Sequence, residues 1–349
     1  MSHFKTHILL ALFGLCIGTL SYGQDVHFSQ MEYSPMMLNP ALAGANGAFQ
    51  ANVNFRSQWK SVASPYTTIA ASVDARFNEN KRQKKGIIAG GINFFNDQVG
   101  DNKVTTNTVN LNLAYHLILD RKQTIGLGIY SGWTQRSIAG SDGRWGAQYD
   151  GTSYNEGLAS GETFNSPTFS LFDAGAGLVY TFKKIEGYMT QNKQLAINAG
   201  AAFYHINTPK YSFVNQADER LPLRWSIFVN ALIGFKNSNG ALMPGIYFNR
   251  QKTNMEILYG TYYRIALTDA SHSTGRIKPA FLDLGLFHRW GDALVAKVGL
   301  EWGVISGGFA YDINISSLTE VSSARGGFEV FLRYNMLSGQ GFTSRSRIR

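Results

Sequence analysis

Most of the chain alternates between apolar and polar residues, over stretches of about 9 to 14 residues that are separated by turn residues. Residues 105–117 show the pattern clearly. The apolar members of this stretch share one parity: Val109, Leu111, Leu113, Tyr115 and Leu117. The polar members share the other: Thr106, Thr108, Asn110, Asn112 and His116. Because side chains alternate between the two faces of a strand, the stretch has one apolar and one polar face.

The same pattern recurs along the chain and predicts about fourteen strands. We place them at residues 48–57, 66–77, 86–95, 104–117, 123–136, 169–182, 194–207, 223–235, 241–250, 254–267, 279–290, 293–304, 307–316 and 327–336. A soluble sandwich or propeller also alternates, but its strands average about 5 or 6 residues, whereas a membrane-spanning strand needs about 9–11. The pattern therefore predicts an all-β fold, a transmembrane antiparallel outer-membrane β-barrel.

Four segments follow from this prediction. Residues 1–23 resemble a signal peptide, with Lys5 before an apolar run at 8–20 and cleavage after Gly23. The single cysteine, Cys16, lies in that run, so the mature chain is expected to have no thiol chemistry. Residues 24–47 are a non-strand segment, 48–336 form the barrel, and 337–349 are a basic tail.

The non-strand segment contains Pro35 and Pro40 and lacks regular alternation. We expect it to plug the barrel, with Asn39 and Pro40 in a turn and these side chains buried: Phe28, Tyr33, Met36, Met37 and Leu38. A flexible periplasmic leader is the alternative.

An even number of strands brings both ends of the barrel to one side, so we expect an outer-membrane location with both termini in the periplasm. The longest connection, 137–167, then faces outward and carries Trp145, Tyr149, Tyr154 and Phe164 among small residues. It is either a surface for an exported partner or a lid packed on itself. The periplasmic turn with Lys81, Arg82, Lys84 and Lys85 either attracts acidic partners or is merely solvated.

Composition fits this fold and gives no sign of an enzyme. Charged residues make up 16% of the chain, and no apolar run after the signal approaches the roughly 18 residues of a membrane helix. The net charge of +9 favours anionic lipid or acidic partners over nucleic acid for an exported protein. The motifs HExxH, GxSxG and GxxxxGK[ST] are absent, so we predict no catalytic, cofactor-binding or metal-binding residues.

Two kinds of residue in the strands have a structural interpretation. The glycines Gly126, Gly128, Gly175 and Gly177 lie inside predicted strands without a following helix, which indicates close packing and not a phosphate site. Mid-strand carboxylates are expected to pair with interior arginines: Asp173, Asp283 and Asp312 with Arg136, Arg224 or Arg264.

The two ends of the mature chain resemble the PorP/SprF family of Bacteroidetes outer-membrane proteins. The opening QDVHFSQMEYSPMMLNPALAG (24–44) and NFRSQW (54–59) carry the resemblance, as do FAYDINIS (309–316) and GGFEVFLRY (326–334) near the end. The matching positions are Phe28, Ser29, Gln30, Leu38, Asn39, Pro40, Ala41, Gly44, Arg56, Gln58, Trp59, Tyr311, Asp312, Asn314 and Ser316. The pair Phe328-Glu329, where His-Glu is expected, and the tail after 336 depart from the pattern.

The resemblance implies a non-enzymatic barrel of the type IX secretion system in gliding bacteria. It also implies partners, either a periplasmic lipoprotein ring with a peptidoglycan-binding protein or a large secreted adhesin that the barrel helps to export or anchor. An outer-membrane transport pore for small solutes or hydrophobic molecules is the alternative, and a barrel enzyme is a third interpretation that no motif supports.

Overall fold

The computed structural model describes residues 25–60, 64–78, 85–138, 145–161, 167–188, 191–213, 219–236, 238–268, 278–316 and 319–336. The predicted signal peptide, Lys81, Arg82, Lys84, Phe164 and the basic tail lie outside these ranges.

Fourteen antiparallel strands form one closed barrel in which each strand pairs with its neighbour in sequence and β1 pairs with β14. The strands are β1 Phe49–Gln58, β2 Tyr66–Arg76, β3 Gly86–Val99, β4 Val104–Ile118, β5 Gln123–Ser137, β6 Thr168–Tyr188, β7 Gln191–Tyr204, β8 Arg224–Gly234, β9 Gly240–Gln251, β10 Asn254–Thr268, β11 Ala280–Arg289, β12 Ala293–Trp302, β13 Ile305–Asn314 and β14 Arg325–Met336. The predicted fold class is confirmed.

Strands β6 and β7 differ most from the predicted bounds. They form a long hairpin in which pairing continues to Tyr188 and Gln191. Strand β7 ends at Tyr204 and not at residue 207, because His205 has a φ of 59°, in the left-handed region that interrupts a strand.

The outer wall is apolar and the inner wall is polar. In β4, Leu111 and Leu113 are about half exposed (52% and 48%), whereas Asn112 between them is 1% exposed. Every strand places at least one exposed large apolar side chain on the outer face. Exposed aromatic residues lie near both ends of the barrel. Those near one end are Phe77, Tyr115, Tyr180, Phe235 and Trp302, and those near the other are Trp133, Trp225 and Trp290. Such an apolar band between aromatic girdles is typical of a membrane-spanning barrel. In the part of the chain that the structure describes, no helix is long and apolar enough to span a membrane.

The two ends of the barrel differ in the parts of the chain that they carry. The terminal rim holds the start of β1 at Phe49 and the end of β14 at Met336, together with the turns after the even-numbered strands β2 to β12. The loop rim holds the connections after the odd-numbered strands, including the longest one between β5 and β6.

Residues 25–48, the lumenal segment, pass through the barrel interior. The segment contains the 3-10 helix Met31–Tyr33, the short α-helix Pro35–Leu38 and the 3-10 helix Pro40–Leu42. Asp25 contacts Gln251 and Arg224 at the loop rim, whereas Gly44 contacts Asp74 and Arg76 near the terminal rim. Asp25 and Met336 therefore lie at opposite rims. The expectation that both termini lie in the periplasm stays a prediction, because residues 1–24 and 337–349 lie outside the described ranges.

Candidate functional site: the lumenal segment and its anchors

The lumenal segment contacts every strand of the barrel. Its polar partners on the wall are Arg56, Asp74, His116, Leu178, Ala201, Arg224, Gln251, Tyr262, Arg289, Lys297, Asp312 and Glu329, and its close apolar neighbours on the two remaining strands are Gly91 and Gly128. Because the contacts surround the segment, it occupies the lumen and does not lie against one wall.

Near the loop rim a charged group fixes Ser29 and Gln30. The Glu329 carboxylate on β14 accepts hydrogen bonds from the backbone N–H groups of Ser29 (2.7 Å) and Gln30 (3.0 Å). The Ser29 hydroxyl donates to Asp312 on β13 at 2.8 Å and accepts from the Arg289 guanidinium on β11 at 2.5 Å. Side chains alternate between the two faces of a strand, and Glu329, Asp312 and Arg289 each occupy a position that faces the lumen.

Arg56 on β1 completes this group, which we call the anchor cluster: Ser29, Arg56, Arg289, Asp312 and Glu329. Its guanidinium lies 3.1 Å from Asp312 and 3.7 Å from Glu329 and donates to the His27 carbonyl at 2.9 Å. All five residues are at most 4% exposed. Buried charges are tolerated when they are paired and hydrogen-bonded, so the anchor cluster joins the segment to the β1–β14 closure of the barrel.

A second group holds the start of the segment at the loop rim. The Asp25 carboxylate lies 2.5 Å from His205 Nε2 and 3.4 Å from Arg224, while His205 Nδ1 lies 2.9 Å from Asp173. Burial lowers the pKa of His205, but the two carboxylates outweigh it and raise the pKa to about 9. Burial raises the pKa of Asp25, but the charges of His205 and Arg224 outweigh it and hold that pKa well below its usual range.

These groups make His205 an imidazolium that bridges the segment to the wall. With a pKa of about 9 it is charged at neutral pH and donates from both ring nitrogens. We call Asp25, Asp173 and His205 the rim latch.

In the middle of the barrel, one carboxylate and one ring hold the segment. Glu32 accepts from Lys297 Nζ on β12 at 3.2 Å and from the Tyr262 hydroxyl on β10. Tyr33 stacks on Phe331 of β14 with ring centroids 3.4 Å apart. Lys297 also lies over the Phe287 ring at 3.7 Å. The buried ammonium is thus compensated by a carboxylate and an aromatic face.

Asn39 and the glycines of the wall allow the closest approach. The Asn39 side-chain amide donates to the carbonyls of Leu178 (3.1 Å) and Ala201 (3.0 Å), and its oxygen caps Ala41 at 2.9 Å. A Cβ at Gly128 would overlap the Ala41 backbone, and one at Gly177 would overlap the Asn39 amide. The glycine prediction is confirmed as close packing, and for Gly128 and Gly177 the packed neighbour is the lumenal segment.

The segment leaves the lumen at the terminal rim. The Ala43 carbonyl lies 2.7 Å from His116 Nε2, and Gly44 N donates to Asp74 at 2.7 Å. Gly44 has a φ of 68° and its carbonyl accepts from Arg76 Nε at 2.7 Å. Only glycine adopts this conformation freely, so Gly44 makes the turn into β1.

Three small cavities lie beside the segment. Two cavities beside Asp25, His27 and Met31 have volumes of about 30 Å³ each, and one beside Met36 has about 10 Å³. The first two have room for about one water molecule.

The structure brings together most of the residues that carry the family resemblance. Phe28, Ser29, Gln30, Leu38, Asn39, Pro40, Ala41 and Gly44 lie buried in the lumen, and Arg56 and Asp312 meet them there. Met37, which we expected to be buried, is half-buried.

Five motif residues lie elsewhere. Trp59 and Tyr311 line a groove on the outer wall, and Gln58 is half-buried at the end of β1. Asn314 donates to Ser322 Oγ at 3.1 Å, and the Ser316 carbonyl accepts from Thr319, so these two shape the β13–β14 turn.

The predicted partners of the mid-strand carboxylates are right in one case of three. Asp283 pairs with Arg264 at 2.7 Å, as expected. Asp312 instead pairs with Arg56 and Arg289, and Asp173 with His205 and Tyr130. The alternation of residues shows which side chains of a strand face the lumen. It does not show which side chains of other strands or of the lumenal segment they meet there.

Sequence reasoning missed several anchors: Asp25, Glu32, Asp74, His205, Arg289, Lys297 and Glu329. All except Asp25, Glu32 and His205 are charged residues within an alternating strand, with inward parity. A charged residue at an inward-facing strand position, in a barrel that is expected to hold a non-strand segment, is the signal that could have identified the four strand residues.

The predicted partner-binding residues lie on the surface where they are described. Tyr149 and Tyr154 pair in an isolated bridge of the β5–β6 connection and are 59% and 38% exposed, and Trp145 is half-buried. Lys85 is exposed at the terminal rim, where Arg121, Lys122 and Lys183 are also exposed.

Within the described ranges, no three His, Cys, Asp or Glu residues are grouped so as to hold a metal ion.

Comparison with known proteins gives a family and a set of distant barrels. The family model described as "Type IX secretion system membrane protein PorP/SprF" matches residues 20–334. No curated protein matches the chain.

Among solved structures, the chain is similar to CdiB from Acinetobacter baumannii, with 9% identity, a TM-score of 0.41 and coverage of 82% of this chain and 60% of that one. It is similar to the monoaromatic hydrocarbon channel TodX (a deltaS2S3 mutant), with 10% identity, a TM-score of 0.46 and coverage of 86% and 93%. It is similar to a FadL homologue of Pseudomonas aeruginosa, with 9% identity, a TM-score of 0.43 and coverage of 85% and 94%.

Proposed function

The chain belongs to the PorP/SprF family of type IX secretion system membrane proteins, and from this premise we propose that it is a non-enzymatic outer-membrane barrel that supports export or cell-surface anchoring of a large secreted, adhesin-like protein. In this role the barrel is a fixed platform in the membrane, with one rim toward the secretion machinery and the other toward the exported protein.

The filled lumen is the observation that carries this proposal. A solute pore needs an open path, whereas here the lumenal segment contacts every strand and leaves cavities of about 30 Å³ beside it. Its anchors are buried, charged and paired, and breaking such pairs is costly. A barrel closed in this way suits a scaffold better than the alternative of a transport pore.

The orientation follows from loop length. Barrels of this class have short periplasmic turns and longer extracellular loops. We assign the loop rim, with its long β5–β6 connection, to the outside and the terminal rim to the periplasm. The Asp25 end of the lumenal segment then faces the cell exterior.

Each rim offers a surface of suitable chemistry. At the loop rim, Tyr149, Tyr154 and Leu158 are exposed beside small and polar residues, a composition that suits binding of a protein surface. At the terminal rim, Lys85, Arg121, Lys122 and Lys183 present positive charge that would attract an acidic periplasmic ring or peptidoglycan-binding protein.

Deleting the gene in the native host tests the proposal. We expect type IX substrates to be exported normally except for one large surface protein, which should disappear from the cell surface and appear in the medium or the periplasm. Restoring the gene with Tyr149→Ser and Tyr154→Ser should restore barrel assembly but only part of the surface retention, while Asn155→Ser in the same connection should restore both. An unchanged set of surface proteins in the deletion strain would contradict the proposed function.

A further inference from the structure

A groove of about 330 Å³ lies on the outer wall of the barrel at the β1–β14 closure, near the loop rim. Its lining residues are Ser57, Trp59, Lys60, Tyr311, Arg325, Gly326, Gly327 and Phe328. This volume falls at the lower end of the roughly 300–1,000 Å³ range of small-ligand sites. The family motif residues Trp59 and Tyr311 belong to it, although neither contacts the lumenal segment.

The shape of the groove follows from its small residues. Ser57 and Gly327 are close neighbours on β1 and β14, and Gly326 lies where the β13–β14 register shifts. A Cβ at Gly327 would lie 2.8 Å from the Ser57 carbonyl, so the strands approach closely there. The larger side chains of Trp59, Tyr311 and Phe328 also line the groove, beside these small residues.

Trp59 is held in an unusual backbone conformation. Its φ is 57°, in the left-handed region that bulky residues rarely adopt, and its N–H donates to the Gly326 carbonyl at 2.9 Å. Its ring packs edge-on against Tyr66 with centroids 4.8 Å apart. The tryptophan is thus fixed in the lining of the groove.

The groove faces lipid and not the lumen. Ser57 and Phe328 have the same parity as Val53 and Val330, which are 50% and 43% exposed on the outer face. The opposite parity places Arg56 and Glu329 in the anchor cluster inside the barrel. The groove therefore opens into the apolar band at the level where that band meets the headgroups.

Two cations lie at its mouth. Lys60 and Arg325 are both exposed, and neither side chain has a hydrogen bond or ion pair with the rest of the described chain. Several interior arginines of the same barrel pair with carboxylates, as Arg264 does with Asp283 and Arg289 with Asp312. An apolar groove with two exposed cations at headgroup level matches a lipid that has a hydrocarbon chain and a phosphate.

We propose that this groove binds a membrane lipid with an anionic phosphate headgroup. One acyl chain lies between Trp59 and Phe328, over Ser57 and Gly327, and the phosphate lies between Lys60 and Arg325. The interaction goes beyond the proposed secretion function, since it would place a lipid on the strand pair that closes the barrel.

Native mass spectrometry of the purified, folded barrel with added phosphatidylglycerol or phosphatidylcholine tests the proposal. The wild type should retain one phosphatidylglycerol more strongly than phosphatidylcholine. The double variant Lys60→Gln/Arg325→Gln should bind phosphatidylglycerol at least about tenfold more weakly, because two cations near the headgroup are lost. The matched control Lys103→Gln/Lys210→Gln removes two exposed cations elsewhere at the loop rim and should bind like the wild type.

Two further arms distinguish a bound lipid from a free anion. Ser57→Leu fills part of the groove and should weaken retention of both lipids, and heat-modifiable gel mobility shows that each variant is folded. Equal binding of phosphatidylglycerol by the wild type and the Lys60/Arg325 variant would overturn the proposal. Retention of inorganic phosphate alone as strong as that of phosphatidylglycerol would also overturn it, since the site would then be an anion site that needs no acyl chain.

Discussion

Glu329 shows how single residues fix the lumenal segment. Its buried carboxylate accepts two backbone N–H groups, from Ser29 and Gln30, and lies 3.7 Å from Arg56. Charge-assisted hydrogen bonds of this kind are about twice as strong as neutral ones. Because the donors of these two bonds are backbone N–H groups, the bonds depend on the position of the backbone and not on the side chains of residues 29 and 30. The packing of Phe28 and Tyr33 holds that backbone in place.

Removing one partner of the anchor cluster is expected to be costly. Arg56→Met should lower the free energy of unfolding by about 3–5 kcal/mol, because it leaves buried carboxylates without part of their compensation. Urea titration followed by heat-modifiable gel mobility measures the loss. Arg121→Met, in an exposed turn, is the control and should change stability by less than about 0.5 kcal/mol. Equal destabilisation by the two variants would show that the anchor cluster contributes nothing specific.

The rim latch predicts a dependence on pH. The pKa of His205 is raised to about 9, against about 6.5 in the unfolded chain, so its contribution is fully present below pH 6.5 and is lost as pH rises through 9. The pKa of Asp25 is lowered, so its contribution is present above its unfolded pKa and is lost as the pH falls toward the lower folded value. The latch should therefore be strongest between about pH 4 and pH 6.5.

His205→Asn is the variant that isolates this effect. Asparagine tolerates the left-handed backbone conformation at this position but does not titrate. We therefore expect the thermal stability of the wild type, measured as its unfolding temperature, to fall relative to that of the variant as the pH rises from 6.5 to 9. A difference between the two proteins that stays constant over this range would contradict the assigned role of His205.

At the scale of elements, alternation alone was enough to place the strands. The polar members Thr108, Asn112 and His116 of β4 are buried in the interior while Leu111 and Leu113 are exposed outside. What alternation could not supply was the end of β7, which depends on the backbone of His205, and the length of the β6–β7 hairpin. Those features depend on local backbone geometry and not on a repeating pattern.

The lumenal segment was predicted only in outline. Its prolines and its lack of regular alternation indicated a non-strand element that we expected to plug the barrel, and Phe28, Tyr33, Met36 and Leu38 are buried. Its partners come from strands far apart in sequence, such as Arg289 and Glu329, which only closure of the barrel brings together. One sequence carries no direct signal for such pairs.

The fit between segment and wall depends on glycine. Gly128→Ala should displace the lumenal segment, because the added methyl would overlap the backbone of Ala41. Gly299→Ala is the matched control, since its Cβ would lie 3.6 Å from its nearest neighbour, Asp283 Cβ. Limited proteolysis should cut residues 25–48 faster in the first variant than in the second. Equal cleavage rates would indicate that the segment does not pack on β5.

At the scale of the whole molecule, the path of the chain has a topological consequence. The barrel begins and ends at the terminal rim, yet Asp25 lies at the loop rim because the segment crosses the lumen. In the proposed orientation, Asp25 is close to the cell exterior while the end of β14 faces the periplasm.

Labelling of intact cells tests this path. Val26→Cys should react with a membrane-impermeant maleimide from outside, at a rate that its half-buried position reduces relative to Lys103→Cys on an exposed loop-rim turn. Lys85→Cys, at the terminal rim, should react only after the outer membrane is permeabilised. The only natural cysteine, Cys16, lies in the predicted signal peptide, so the background should be low. Reaction of Val26→Cys only in permeabilised cells would contradict the assigned orientation of the loop rim.

In the proposed function the lumenal segment closes the barrel, so that the protein acts as a platform and not as a pore. Single-channel recording of the intact protein in planar lipid bilayers measures this directly, with Gly128→Ala as the variant whose segment is displaced. We predict no stable conductance steps from the intact protein and frequent openings from the variant. Large, long-lived steps from the intact protein would contradict the account.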